Sequence, residues 1–152
     1  MATSTCLWLT GQAGSGKRTV GRAVAADLNA RGIAAIFIDD EAQNRYLAPG
    51  DEPLRWFCET LLANNVTVIV AISALHQSDR EDLRSTLNRF LEVFLDAPAE
   101  VCAQRAGRAD SGFETPHAAE LRVPTANRSV AASSAQVISF LEESGVISDA
   151  SA

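Results

Sequence analysis

The sequence is poor in the residues that build disulfide frameworks and zinc sites. Its 152 residues include three cysteines and two histidines. Cys6, Cys58 and Cys102 lie far apart in apolar stretches, which favours free buried thiols in a reducing compartment over disulfides or a metal cluster. His76 and His117 are too few and too widely separated for a zinc site. These shortages argue against a disulfide-stapled scaffold and against a zinc protein.

Long apolar runs and excess positive charge are also lacking. No stretch is long enough to span a membrane, and no signal peptide is recognisable. The formal net charge is −6, which argues against a broad surface for nucleic acid. Hydrophobic residues make up 47% and charged residues 21%, as in ordinary globular proteins. We therefore expect one domain over residues 1–152, a cytoplasmic location, a small-molecule substrate, and neither membrane nor nucleic acid as a partner.

Short apolar runs alternate with helical patterns along the chain. Strands are predicted at Cys6–Thr10, Ala34–Ile38, Val66–Ile72, Leu91–Leu95 and, as a short fifth strand, Glu120–Val123. The run "VTVIVAI" has no polar alternation, which is typical of a strand buried on both faces of a parallel sheet. The pattern predicts an α/β fold, a mostly parallel sheet between two layers of helices.

The segments between these runs supply the predicted helices and one predicted loop. Val20, Val24 and Leu28 recur at helical spacing after the first strand. Further helices are predicted at Leu54–Ala63, Ser78–Phe90, Ala99–Arg105 and Val130–Glu143. Residues 43–53 contain Asn44, Pro49, Gly50 and Asp51, so this stretch is predicted to be a loop.

The stretch "GQAGSGKRT" lies between the first strand and the first helix. Its glycines and lysine match the phosphate-binding pattern G-x-x-x-x-G-K-[ST], whose backbone N–H groups surround nucleotide phosphates at a helix N-terminus. Lys17 is placed to reach the β- and γ-phosphates of ATP. The candidate nucleotide-binding residues are Gly11, Gln12, Ala13, Gly14, Ser15, Gly16, Lys17, Arg18 and Thr19.

Arg18 departs from that pattern, because it stands where a serine or threonine holds Mg²⁺. A guanidinium has only donors and a permanent charge, so it cannot ligate a metal ion. Three outcomes are open. Arg18 turns to solvent while phosphates, water and Asp39 hold the metal; its charge replaces part of the metal's work; or catalysis is weakened while binding survives. Thr19 is not assumed to take over the metal.

Acidic residues follow the second predicted strand. Asp39, Asp40 and Glu41 either bind Mg²⁺ and orient an acceptor hydroxyl, or form a solvated turn or a helix N-cap. Because strand carboxyl ends meet at one sheet edge, the glycine loop, Asp39, Ser73 and Asp96 are expected to approach one another. The Asp79–Arg80 pair is expected to be a solvated helix face.

Several motifs together resemble the adenylyl-sulfate kinase (APS kinase) family of P-loop kinases. "LWLTGQAGSGKRT", "FIDDE", "VIVAISA" with "SDRED", and "FETPHAAELRVPT" resemble family segments in the same order. "FLEVFLDAPAEVCAQR" is the most diagnostic stretch, because general P-loop proteins do not share it. The resemblance extends from Cys6 to Ile147.

The resemblance implies a P-loop NTPase-like sandwich that uses MgATP to phosphorylate the 3′-hydroxyl of adenosine 5′-phosphosulfate (APS) in sulfate assimilation. A homodimer is the usual state of this family. Lys17, Asp39 and Glu41 are the candidate catalytic residues, and Asp39 is the candidate metal ligand. Arg105 joins the loop as a candidate nucleotide contact. The candidate acceptor-binding residues are Asp39, Arg55 and Ser73.

The chain departs from the family pattern in the segment between Arg105 and Phe113. Family members carry a mobile lid there, whereas "AGRADSG" is too short to form one. The aromatic residue that stacks on the acceptor adenine is not identifiable, since Tyr46, Trp56 and Phe57 are expected to pack in the core or in loops. Two alternatives therefore stay open: a kinase for a different small hydroxyl compound, and an impaired nucleotide-binding or regulatory relic.

Overall fold

A computed structural model describes residues 3–73, 76–109 and 112–147. Within these residues the strands are β1 (Cys6–Thr10), β2 (Ala35–Asp39), β3 (Thr67–Ala71), β4 (Phe90–Asp96) and β5 (Leu121–Pro124). The helices are α1 (Lys17–Ala30), α2 (Asp40–Tyr46), α3 (Asp51–Ala63), α4 (Gln77–Thr86), α5 (Ala99–Ala106) and α6 (Val130–Glu143).

The five strands form one sheet in the order β2-β3-β1-β4-β5, and all four pairings are parallel. Every residue of β1 and β3 is buried. The absence of polar alternation in these strands follows from their position, since helices cover both faces of the sheet. The predicted α/β sandwich with a parallel sheet is confirmed.

Alternate residues of β1 face two separate apolar clusters. Leu7 and Leu9 pack on one side with residues of α1 and α6, such as Val24 and Leu141. Cys6 and Trp8 pack on the other side with residues of α3 and α4. The two-residue period of a strand thus joins both layers of helices through the central strand.

The prediction of a loop over residues 43–53 was wrong at both ends. Helix α2 runs to Tyr46, and the Asp39 carboxylate caps its N-terminus by accepting a hydrogen bond from the N–H of Ala42 at 2.9 Å. Helix α3 already begins at Asp51. Pro53 is tolerated in its first turn because N–H groups there have no intrahelical partner to lose.

The helix predicted from Ser78 to Phe90 ends at Thr86 instead. Phe90 opens β4, where it pairs with Cys6 and its ring packs against Trp8. The boundary was misplaced because Phe90 continues the apolar spacing of the helix while its partners lie in the sheet.

Arg80 was expected on a solvated helix face, and that expectation was wrong. It is 1% exposed, its guanidinium lies 3.1 Å from the fully buried carboxylate of Glu92, and it stacks over the ring of Phe113. Burial lowers the pKa of Arg80, and the charge of Glu92 opposes that shift. A charged pair therefore ties α4 to β4 inside the fold.

The three thiols are free and buried, as expected from the sequence. Contact with the Cys58 thiol, together with burial, raises the pKa of Cys6. In the part of the chain that the structure describes, no helix is both long enough and apolar enough to cross a membrane.

Candidate functional site

The glycine loop connects β1 to α1 and packs directly against α5. Gly14 has a φ of +85° and Gly16 a φ of +105°, values that side chains other than glycine rarely adopt. A Cβ at position 14 would lie 2.2 Å from the carbonyl oxygen of Cys102. Only glycine therefore allows the loop to lie this close to α5.

Lys17 is the first residue of α1 and is almost completely buried. Its Nζ donates to the carbonyl oxygens of Gly11 at 2.6 Å and Gln12 at 3.2 Å. The ammonium group is thus held under the loop at the helix N-terminus, where the helix dipole adds a partial positive charge. This arrangement suits an anion.

Two residues outside the loop hold its backbone in place. The hydroxyl of Thr125 donates to the carbonyl of Ser15 at 2.8 Å. Arg105 donates to the carbonyls of Gly14, Thr125 and Ala126. The predicted nucleotide contact Arg105 therefore links the loop to the segment that follows β5, although it also lines the neighbouring cavity.

Arg18 reaches across to the acidic residues after β2. Its Nε donates to Oδ2 of Asp39 at 3.0 Å, and its Nη2 donates to Oε2 of Glu41 at 3.1 Å. The Arg22 guanidinium lies 3.7 Å from the same oxygen of Asp39. The two carboxylates that the sequence offers for metal or acceptor binding are therefore engaged with arginine.

A cavity of about 570 Å³ opens at the carboxyl ends of the strands. Loop residues 13–16 and the first turns of α1 line one side of it. Five cations line it, namely Lys17, Arg18, Arg105, Arg108 and Arg128, against the single carboxylate of Asp40. The cavity is thus strongly basic in a protein whose formal net charge is −6.

The predicted site residues divide into two groups. Ser73 lines the cavity, and its N–H and hydroxyl both donate to the Asp40 carboxylate. Arg55 is separate, because its Nε donates to the Thr86 hydroxyl between α3 and α4. Tyr46 and Trp56, expected to pack in the core or in loops, are 75% and 63% exposed.

Sequence reasoning left three charged cavity residues out of the predicted site. Asp40 was considered only as part of the acidic run and was not chosen as a site residue, although it is the carboxylate that lines the cavity. Arg108 and Arg128 lie outside helices and strands, and no periodic pattern marks them. The segment between Arg105 and Phe113, predicted to be too short for a lid, falls partly outside the described residues, at positions 110 and 111.

The donor set does not fit a loop-bound Mg²⁺ ion. Mg²⁺ takes oxygen ligands, and Arg18 supplies none at the position where the pattern has a hydroxyl. One oxygen of Asp39 accepts the N–H of Ala42 and the other accepts from Arg18. Among residues 3–73, 76–109 and 112–147, no group of three histidine, cysteine or acidic side chains could hold a metal ion.

Comparison with known proteins places this geometry in one family. The family model for adenylylsulphate kinase matches residues 3–50 and 55–124. An adenylyl-sulfate kinase of Synechococcus sp. (strain JA-3-3Ab) is 34% identical over 110 residues, which cover 65% of this chain but 62% of that protein. The adenylyl-sulfate kinase of Halothermothrix orenii is 27% identical over 168 residues, with 93% of this chain and 91% of that protein covered.

Solved structures agree with these sequence matches. The Mycobacterium tuberculosis APS kinase CysC, in complex with AMPPNP and APS, has a TM-score of 0.78 at 25% identity, covering 93% of this chain and 99% of the other. A crystal structure of APE1195 has a TM-score of 0.82 at 20% identity, covering 94% and 97%, and supports the fold alone. The chain belongs to the adenylylsulphate kinase family.

Proposed function

We propose that this protein transfers the γ-phosphoryl group of ATP to the 3′-hydroxyl of APS. The observation that carries the proposal is the basic cavity at the carboxyl ends of the strands, where the glycine loop, Lys17 and four arginines face one space. Family membership supports it, and the M. tuberculosis relative was crystallised with an ATP analogue and APS together.

The loop and Lys17 serve the donor nucleotide. Loop amides and the α1 N-terminus surround the β- and γ-phosphates, and Lys17 exchanges its contacts with Gly11 and Gln12 for phosphate oxygens. Arg108 and Arg128 line the same cavity and offer further cations to the polyphosphate. These positive groups stabilise the charge that develops on the transferring phosphoryl group.

The acceptor side is formed by Asp40 and Ser73. The 3′-oxygen of APS attacks the γ-phosphorus, the bond from that phosphorus to the β–γ bridging oxygen breaks, and ADP leaves with the electron pair. The hydroxyl proton passes to a carboxylate, and we assign Asp40 because it lines the cavity. Asp39 and Glu41, the catalytic candidates from the sequence, act through Arg18, which they hold in place.

A coupled assay of ADP formation with ATP alone and with ATP plus APS tests the proposal. We expect APS to start turnover and a 3′-phosphorylated product to form. Lys17→Met should lower the rate by at least about a hundredfold. Arg89→Ala is the matched control, because it removes one positive charge from an exposed residue next to the amino end of β4 and should leave the rate unchanged.

Lys17 is the only lysine in the sequence, which gives an independent test of donor binding. Pyridoxal phosphate followed by borohydride labels ε-amino groups, so the labelled peptide reports this one side chain. ATP should block labelling at Lys17. ADP formation that ignores APS would point to a different acceptor, and labelling that ignores ATP would contradict the nucleotide site itself.

The cellular setting and the oligomeric state are part of the same proposal. We place the protein in the cytoplasm, where ATP is available and where Cys6, Cys58 and Cys102 stay reduced. We propose a homodimer, in line with the family's usual state. Light scattering checks this against the chain mass of 16.2 kDa.

A further inference from the structure

Arg18 lies at the position of the metal-binding hydroxyl, and its surroundings fix what it does there. Its side chain is 54% exposed and lines the cavity, so the guanidinium is neither buried nor turned away from the ligand space. We propose that Arg18 is a built-in cation of the nucleotide site, and that the protein binds its nucleotide as the metal-free polyphosphate. The inference rests on the proposed use of a nucleotide.

The contacts of Arg18 hold it in this orientation. Asp39, the N-cap of α2, accepts from Nε, and Glu41, in the first turn of the same helix, accepts from Nη2. Asp39 also accepts a hydrogen bond from the N–H of Ala42, so its contact with Arg18 is anchored to the N-terminus of α2. With Nε and Nη2 engaged, Nη1 is left to donate to a phosphate oxygen.

A divalent cation would meet the wrong groups at this position. The guanidinium of Arg18 offers no ligand atom for it, and the neighbouring acids Asp39 and Glu41 are paired with that guanidinium. Both oxygens of Asp39 already accept hydrogen bonds, one from Ala42 and one from Arg18, so a metal ion would compete with these bonds for the carboxylate. Asp40, which lines the cavity, accepts from the N–H and hydroxyl of Ser73.

The charge of the cavity makes a metal ion unnecessary for neutralising the phosphates. Even when Asp39 and Glu41, which pair with Arg18, are counted with Asp40, the five cations that line the cavity outnumber the carboxylates. Within such a cleft, fixed charges act on a polyphosphate with less screening than at an open surface. A polyphosphate without metal carries more negative charge than its magnesium complex and is the better match.

Titration calorimetry with AMPPNP, in EDTA and in excess Mg²⁺, tests the inference on the full chain. For the unchanged protein we expect the two dissociation constants to agree within about threefold. For Arg18→Ser we expect binding in EDTA to weaken by about tenfold or more, and Mg²⁺ to restore it through the new hydroxyl.

Arg22→Ser is the matched control. Arg22 lies one turn further along α1, carries the same charge and approaches the same carboxylate of Asp39, but it is not among the residues that line the cavity. Its replacement should leave both dissociation constants unchanged. Arg18→Lys, which keeps a charge and has no hydroxyl, should remain insensitive to Mg²⁺ and supports the same conclusion should Arg18→Ser not fold.

Each outcome decides a separate question. Binding of the unchanged protein that requires Mg²⁺ overturns the inference and leaves the proposed kinase reaction intact. Binding that is independent of Mg²⁺ in both the unchanged protein and Arg18→Ser removes Arg18 as the cause. Failure to bind AMPPNP in either buffer overturns the nucleotide site, and with it the proposed function.

Discussion

At the scale of single residues, Arg18 changes the roles of two neighbouring carboxylates. In the sequence, Asp39 and Glu41 are free to serve as metal ligands or bases. In the fold, both bind Arg18, and Asp39 also caps α2. Arg18 and its two acidic partners therefore act as one unit, and the effects of replacing them singly are expected to be non-additive.

Gly14 is the residue for which the loop geometry makes the sharpest prediction. A Cβ there would clash with the carbonyl of Cys102, so Gly14→Ala must move the loop away from α5. We expect Gly14→Ala to cost more than about 2 kcal/mol in the free energy of unfolding, from backbone strain plus the clash. Nucleotide affinity should fall by at least about tenfold, as measured by calorimetry.

Gly32→Ala separates these two causes. Gly32 has a φ of +80°, close to that of Gly14, but a Cβ there meets nothing within 4 Å. It should lose about 1 kcal/mol of stability from strain alone and keep its nucleotide affinity. Equal losses of stability and affinity in Gly14→Ala and Gly32→Ala would show that contact with α5 does not shape the loop.

At the scale of helices and strands, the sequence predicted the buried strands and the long helices, and it missed elements and boundaries that depend on tertiary contacts. The strands were recognisable because runs such as "VTVIVAI" are apolar throughout, and α6 has the bounds predicted for it. Helix α2 was missed because it has seven residues, none of them buried. Its cap, Asp39, was noticed, but a cap alone does not distinguish a helix from an acidic turn.

The site followed the same division. The glycine loop and Lys17 are local in sequence, so their pattern alone predicts a phosphate site. Arg108, Arg128 and Asp40 reach the cavity only because α5, β5 and β2 end at the same edge of the sheet. Arg80 was wrongly placed on a solvated face for a similar reason, because its contacts with Glu92 and Phe113 come from distant parts of the sequence.

The ion pair between α4 and β4 yields a prediction about how these elements are held together. Arg80→Met leaves the fully buried carboxylate of Glu92 with Arg84 and Thr10 as its side-chain partners among the described residues. Removing one member of a buried pair typically costs about 3–5 kcal/mol. Because Glu92 keeps two partners, we expect a loss of about 3 kcal/mol, measured by urea unfolding.

Arg84→Met is the comparison variant for this ion pair. Arg84 binds the same carboxylate at 3.2 Å, but its side chain is 26% exposed and it also pairs with Glu120. Its replacement should cost about 1 kcal/mol, as for partly solvated pairs. A cost for Arg84→Met equal to that for Arg80→Met would show that burial does not set the strength of these contacts.

At the same scale, the sequence predicts that the segment between Arg105 and Phe113 is too short for the lid that the family carries. The alignment with the H. orenii protein has 168 positions, and because 93% of 152 residues is about 141, about 27 of them have no residue in this chain. A lid excludes water during phosphoryl transfer, so we propose that a chain without one hydrolyses some ATP in the absence of an acceptor. The assay with ATP alone measures this acceptor-independent hydrolysis directly.

At the scale of the whole molecule, charge is distributed unevenly. The formal net charge is −6, yet the cavity is lined by five cations and one carboxylate. A polyphosphate is therefore repelled by much of the surface and attracted to the cleft. Such focusing gives an association rate that falls with ionic strength and confines anion binding to one place.

We propose that the chain folds as one cooperative unit, because the central strand belongs to both apolar clusters. Leu7 and Leu9 support one layer of helices, whereas Cys6 and Trp8 support the other. Loss of β1 would expose both clusters at once. The three thiols report this event from different elements: Cys6 from β1, Cys58 from α3 and Cys102 from α5.

Pulsed thiol labelling across a urea gradient, read by mass spectrometry of the three peptides, measures whether those elements unfold together. In the absence of urea the buried thiols should stay unlabelled, and all three should become reactive along one curve that coincides with the loss of helical circular dichroism. Labelling of Cys102 at lower urea than Cys6 and Cys58 would show that α5 and the glycine loop open as a separate unit. With nucleotide bound, the common curve should move to higher urea, because a ligand that binds only the folded state stabilises all of it.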